Sequence, residues 1–148
     1  MMREETGCCV ADVMTTKPVC VPPTISVYST AHLMRERDVG SVLIKEGREV
    51  LGIMTEWDFV HRVVAQDLNT QETPISQVMV KDLITVSPKM DIFDALRLMR
   101  DTKIRHLPVL EGDSLVGFIT IKDILRIQPQ LLEIITERYD VGLRREDY

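Results

Sequence analysis

The residue types best suited to ligand chemistry occur twice in this chain with one spacing. The pattern is Gly-x-x-Thr-x-x-Asp, formed by Gly52, Thr55 and Asp58 and repeated by Gly117, Thr120 and Asp123. An aspartate at this position can accept hydrogen bonds from both hydroxyls of a ribose, as acidic residues do in dinucleotide-binding folds. A helix N-terminus beside it offers free backbone N–H groups, and the glycine permits a close backbone approach. The spacing therefore predicts two candidate sites for a ribose-containing ligand.

The same pattern also predicts a purely structural arrangement. Thr-x-x-Asp ahead of an apolar run resembles a capping box, in which the threonine is the N-cap and the acid bonds back from the third helical position. The usual acid there is glutamate or its amide, and aspartate has a shorter reach, yet both copies use aspartate. Capping and ribose binding can coexist, so both interpretations stand at this point.

A duplicated unit supplies the elements that must position these residues. A shift of 65 residues aligns Val13–Val60 with Val78–Leu125 without a gap. Apolar periodicity and turn residues predict a β-α-β-β-α order in each copy. The predicted elements are strand Val19–Val21, helix Ser26–Arg37, strands Ser41–Ile44 and Val50–Met54 and helix Thr55–Ala65, then strand Ile84–Val86, helix Asp91–Asp101, strands Leu107–Leu110 and Leu115–Ile119 and helix Thr120–Ile127.

The fold class predicted from this order is α+β, with two pseudo-symmetric units packed as one body. One unit of this size has a thin core, so we expect the copies to pack together with equivalent segments facing a shared cleft. The expected boundaries are an N-terminal tail at 1–9, units at 10–66 and 75–128 with a linker at 67–74, and a C-terminal helix and tail at 129–148, the helix covering Leu131–Arg138.

Composition narrows the class of protein. The 148 residues carry 23 acidic and 18 basic side chains, and this excess of negative charge argues against a general nucleic-acid binder. No apolar run approaches the roughly 20 residues that cross a bilayer, and "MMREETGCCV" lacks the pattern of a signal peptide. Three cysteines, Cys8, Cys9 and Cys20, form a poor disulfide framework and favour a reducing cytoplasm. We expect no metal site and no catalysis, since no metal-ligand set, nucleophile with a base or Gly-x-x-x-x-Gly-Lys loop is present.

The duplicated unit resembles the CBS domain, named after cystathionine β-synthase, and the pair resembles a Bateman module. The matching stretches are "VMTTKPVCVPP" with "VMVKDLITVSP", and "RHLPVLEGDSLVGFITIKDIL" with "GSVLIKEGREVLGIMTEWDFV". The resemblance covers residues 10 to 128. It implies a regulatory, energy-sensing module that needs no obligatory cofactor, binds AMP, ADP, ATP or S-adenosylmethionine, forms a homodimer through its helices and signals to another protein.

The resemblance also implies roles for particular residues. The ribose would lie on Thr55, Asp58, Thr120 and Asp123, and phosphates on Arg105 and His106, to which Lys122 would add a point charge. A loose set for the adenine pocket is Thr15, Thr16, Pro18, Val19, Val80, Lys81, Leu83 and Ile84. Which aspartate acts with the basic residues stays open, and a solvated basic strand edge is the structural alternative. The competing function is a structural or dimerisation module with degenerate ligand sites.

Overall fold

The computed structural model describes residues 6–133, which fold into two compact units. The Asp58 unit is formed by residues 18–83, and the Asp123 unit combines residues 6–17 with residues 84–133. These boundaries differ from those of the two sequence copies, because the start of each copy folds with the other one. The predicted N-terminal tail and the helix Leu131–Arg138 lie partly outside the described residues.

Short helices and strands follow one another in the α+β order expected from the repeat. In chain order they are α1 Val10–Val13, β1 Cys20–Val21, α2 Val27–Arg37, β2 Ser41–Glu46, β3 Glu49–Thr55, α3 Glu56–Asp58, a π-helix Phe59–Val64, α4 Ile75–Val78, α5 Ile92–Thr102, β4 His106–Glu111, β5 Ser114–Thr120, α6 Ile121–Ile127 and a 3₁₀-helix Pro129–Leu131. The Asp58 unit has a three-stranded sheet in the order β1-β2-β3, and the Asp123 unit has the antiparallel pair β4-β5.

The two hairpins are built alike. A two-residue turn begins at Gly47 between β2 and β3, and at Gly112 between β4 and β5, with φ of 61° at both glycines. That left-handed conformation has no steric cost for glycine, which is why the glycine marks the turn in the sequence. The predicted hairpins are therefore confirmed.

The first strand that the sequence predicts for the second copy, Ile84–Val86, is reduced to an isolated bridge. In the first copy β1 pairs in parallel with β2, and Leu43 N–H donates to Val19 O at 3.0 Å. The aligned residue of the second copy is Pro108, which has no N–H to donate. Ile84–Val86 is accordingly not a strand, and only a single parallel bridge joins Val86 to Val109.

The last helix of the first copy is also different from the prediction. Its first turn is α3, but Phe59–Val64 continues as a π-helix, with Ala65 N–H donating to Val60 O at 2.9 Å. Nδ1 of His61 lies 2.8 Å from Trp57 O, so the ring reaches the carbonyl that an α-helix would pair with the His61 N–H. The His61 and Trp57 rings stack with centroids 3.6 Å apart.

Each unit has its own core, and each core is completed by a short helix from the start of the other copy. Val10 of α1 is buried with Leu96 and Ile119 in the Asp123 unit. Ile75 of α4 is the aligned residue, and it is buried with Met54 in the Asp58 unit. Within residues 6–133 no helix is both long and apolar enough to cross a membrane.

Candidate ligand-binding site

The Thr-x-x-Asp pairs form capping boxes in both units. Thr55 N–H donates to Oδ2 of Asp58 at 2.9 Å, and Asp58 N–H donates to the Thr55 hydroxyl at 3.4 Å. The second copy repeats this geometry, with 2.9 Å from Thr120 N–H to Oδ2 of Asp123 and 3.3 Å in return. Each box uses one carboxylate oxygen, Oδ2, so the structural interpretation is confirmed.

Aspartate has enough reach for this role elsewhere in the chain as well. Cys9 N–H donates to Oδ2 of Asp12 at 2.9 Å at the start of α1, although no threonine or glycine pattern precedes it. Hydrogen bonds from Cys9, first from its backbone and then from its thiol, lower the pKa of the Asp12 carboxyl. A capping aspartate is therefore not by itself a sign of ligand binding in this protein.

The glycine of each pattern is explained by packing against an exchanged segment, the start of the other copy that folds in the same unit (residues 78–83 for Gly52 and 13–17 for Gly117). Ile53, next to Gly52, forms an antiparallel bridge with Val80, and a Cβ on Gly52 would stand 2.9 Å from Val80 O. Phe118, next to Gly117, forms the same bridge with Thr15, whose carbonyl oxygen would be 3.0 Å from the added Cβ. The close approach predicted from the sequence is thus made by backbone.

The two aspartates differ in what surrounds their second oxygen. Asp58 is buried, and its Oδ1 lies 3.8 Å from Nε of Arg62, an ion-pair distance. The same arginine donates from Nη1 to Val78 O at 3.1 Å, which ties the π-helix to the end of α4. Asp123 is half-buried, and Ile127 takes the place of the arginine. Oδ1 of Asp123 has no partner among residues 6–133.

The basic residues lie in the Asp123 unit, at the end of the hairpin where α6 begins. His106 is the register partner of Thr120, and Ile121 N–H donates to Arg105 O at 2.9 Å. Lys122 is exposed in the first turn of α6. These three residues and Asp123 therefore belong to one end of one unit. Which aspartate acts with the basic residues in ligand binding stays a prediction.

The residues expected to line an adenine pocket are divided between the units. Those that fold with Asp123 are Thr15, Thr16 and Ile84, and those that fold with Asp58 are Pro18, Val19, Val80, Lys81 and Leu83. Thr16 and Pro18, which are only two positions apart, thus belong to different units. Neither of the two stretches predicted from the sequence, residues 15–19 and 80–84, therefore belongs to one unit as a whole.

Arg62 is the contact that the sequence analysis missed. Its spacing of four residues from Asp58 is a signal for an ion pair on a helix, and this signal was present in the sequence. The bonds from Arg62 to α4 had no such signal, because they depend on the exchanged segment.

Replacing Thr120 with alanine is expected to lower the free energy of unfolding by about 1 kcal/mol, the usual cost of losing an N-cap side chain. Thr120→Ser keeps the accepting oxygen and is the matched control, so its free energy of unfolding should fall by only a few tenths of a kcal/mol. Urea denaturation of the two variants measures the difference. An alanine variant as stable as the serine variant would show that the box does not stabilise α6.

Comparison with known proteins gives one family for both copies. The CBS domain matches residues 10–65 and 75–129. An uncharacterized protein of Methanopyrus kandleri is 39% identical over 117 residues, which are 78% of this chain and 60% of that relative. The CBS domain-containing protein YhcV of Bacillus subtilis is 35% identical over 78% of this chain and 81% of its own length.

Solved structures agree with the sequence comparison. The crystal structure of an uncharacterized conserved protein from Pyrococcus horikoshii matches with a TM-score of 0.78 and 29% identity. The match covers 84% of this chain and 95% of that one. With two matched domains covering most of its length, the chain belongs to the CBS-domain family, as a tandem pair.

Proposed function

We propose that this protein is a non-catalytic regulatory module that binds an adenosine-containing ligand, such as AMP, ADP, ATP or S-adenosylmethionine, and passes the signal to a partner protein. CBS domains are in general regulatory, ligand-binding modules. The observation that carries the proposal is Asp123, whose Oδ2 completes the cap while its Oδ1 has no partner within residues 6–133. A carboxylate oxygen of a half-buried aspartate is suited to accept a hydrogen bond from a ribose hydroxyl.

The proposed division of labour follows from the chemistry of the side chains. The Thr-x-x-Asp pairs, Thr120 with Asp123 and Thr55 with Asp58, are the candidates for holding ribose hydroxyls. Arg105, His106 and Lys122 provide cations at the end of the β4–β5 hairpin that carries Asp123. Arginine can bind a phosphate through two parallel N–H donors, whereas lysine acts as a point charge. This arrangement supports a phosphorylated adenosine ligand.

One observation favours the competing function, a structural or dimerisation module. Each capping box is completed by residues of this chain, so each aspartate already has a structural role. The homodimer and the cytoplasmic location stay predictions. The three cysteines, Cys8, Cys9 and Cys20, are odd in number and two are adjacent, which supports a reducing compartment.

A thermal-shift panel of adenosine, AMP, ADP, ATP and S-adenosylmethionine separates the two functions. A ligand present at 100 times its dissociation constant stabilises the folded state by about 2.7 kcal/mol. We expect at least one adenosine compound to raise the melting temperature in a concentration-dependent way. If none does so up to millimolar concentration, the structural module is the better account.

Replacing Arg105 with alanine is expected to weaken AMP and ATP binding about ten- to 150-fold, the equivalent of about 1.5–3 kcal/mol for a hydrogen bond to a charged group. Adenosine, which has no phosphate, should bind within about twofold of the wild type. The matched control is Arg126→Ala, which removes the same charge from the last turn of α6. Titration calorimetry measures all three ligands, and an equal loss for adenosine and ATP would contradict a phosphate contact.

A further inference from the structure

The end of the hairpin that carries the candidate site differs in charge between the two units. In the Asp123 unit Ile121 N–H bonds to Arg105 O, and the aligned pair in the Asp58 unit is Glu56 N–H to Gly40 O at 3.0 Å. A carboxylate oxygen of Glu56 lies 3.4 Å from the point where a Cβ on Gly40 would stand. A negative charge therefore stands next to the position at which the other copy places its arginine.

The residue that ends the preceding helix differs in the same direction. Lys103 ends α5 in the left-handed conformation, with φ of 58°. Asp38 ends α2 in the same conformation, with φ of 52°, and it is exposed. The backbone is thus alike at these two positions, while the charge is reversed.

The ribose candidate of the first copy is also engaged from within its own unit. Arg62 lies within ion-pair distance of Oδ1 of Asp58 and is held in place by bonds to Val78 O and Met79 O. A ligand hydroxyl that used this oxygen would have to displace or share the arginine. Within residues 6–133 no basic side chain lies at ion-pair distance from Asp123, and position 127, which aligns with Arg62, is isoleucine.

We propose that the chain binds a phosphate-bearing adenosine ligand in one copy only, the copy that contains Asp123. This inference rests on the proposed function and deepens it. In the Asp58 unit, Glu56 repels the phosphate where the other unit attracts it, and Arg62 holds the carboxylate that would bind the ribose. A like charge a few ångströms from a phosphate weakens its binding by roughly tenfold in a partly exposed site, and the missing arginine adds to this loss.

Titration calorimetry of ATP into the full chain measures the stoichiometry directly. We expect one ATP per chain, and we expect Arg105→Ala to weaken that single event at least about tenfold, with no second event of wild-type affinity remaining. Two equivalents in the wild type, or one undiminished equivalent in Arg105→Ala, would overturn the inference while leaving the proposed function intact. Absence of binding by adenosine, AMP, ADP, ATP and S-adenosylmethionine would instead remove the proposed function, and this inference with it.

A second variant tests which side chains prevent the Asp58 unit from binding the ligand. Glu56→Ile combined with Arg62→Ile introduces the residues found at the aligned positions of the second copy, Ile121 and Ile127. We expect a second, weaker equivalent of AMP to appear, and urea denaturation confirms that the variant is folded. A folded double variant that still binds a single equivalent of AMP would show that Glu56 and Arg62 are not the residues that prevent binding in the Asp58 unit.

Discussion

Replacing Asp123 with asparagine is expected to weaken AMP and ATP binding about ten- to 150-fold, which corresponds to about 1.5–3 kcal/mol for hydrogen bonds to a charged group. Asparagine retains a carbonyl oxygen that can accept from Thr120 N–H, so the free energy of unfolding should fall much less. The affinity falls because a carboxylate accepts hydrogen bonds from the ribose hydroxyls more strongly than an amide does. Calorimetric titration measures the affinity, and urea denaturation measures the stability of the same variant.

The control for Asp123 is another aspartate of the same unit. Asp113 lies in the exposed turn between β4 and β5, at the far end of the hairpin, and Asp113→Asn removes the same charge. Its ligand affinity should stay within about twofold of the wild type, since an exposed distant charge is screened. If Asp123→Asn lowers the unfolding free energy but not the affinity, the carboxylate serves the cap alone.

Replacing Gly52 or Gly117 with alanine is expected to lower the free energy of unfolding by about 1–3 kcal/mol each, the usual cost of overpacking. The added Cβ would meet the side chain of Met79 or Met14 and, more importantly, the backbone oxygen of Val80 at 2.9 Å or of Thr15 at 3.0 Å. Methionine can move aside, but a backbone oxygen held in an antiparallel bridge cannot do so without breaking the bridge.

Gly40→Ala is the matched control for these variants. Its Cβ would approach only the flexible end of the Glu56 side chain, at 3.4 Å, so the change in stability should stay below about 0.5 kcal/mol. Urea denaturation of the three variants gives the comparison. A Gly52→Ala or Gly117→Ala chain as stable as Gly40→Ala would mean that the exchanged segments do not hold these strands.

The order of the elements could be predicted from the sequence because each has a local signal. The N-caps Ser26 and Asp91 begin α2 and α5 in the structure, and Gly47 and Gly112 mark the turns. Capping and left-handed turns depend on a few neighbouring residues, which the sequence displays directly. Pro108 also indicated a local change, because proline has no N–H. Its effect on the first strand of the second copy depends on a distant residue, since the carbonyl of Ile84 is the group that an N–H at position 108 would have bonded.

The exchange of segments could not be predicted from the repeat. An internal repeat shows that Thr15 is equivalent to Val80 and that Ile53 is equivalent to Phe118. It is equally compatible with pairing inside each copy and with pairing between copies, and the structure has the second arrangement. The four-residue helices α1 and α4 were missed because so short a stretch shows no helical period.

The sequence identified the residues of the candidate site but not which of them the fold places in the same unit. The Thr-x-x-Asp pairs and the basic residues were identified by type and spacing, and their capping geometry agrees with one of the two interpretations. The spacing of Arg62 from Asp58 was visible in the sequence, but the bonds that hold the arginine required the fold, because they run to the carbonyls of Val78 and Met79.

The most direct test of ligand binding by the Thr-x-x-Asp pairs is calorimetric titration of adenosine, AMP and ATP into wild type, Asp58→Asn and Asp123→Asn, each first shown to be folded. The account predicts that the wild type binds, and that Asp123→Asn weakens the phosphorylated ligands at least about tenfold. Equal affinities across the three proteins would contradict it, because both motifs would then serve only to cap their helices.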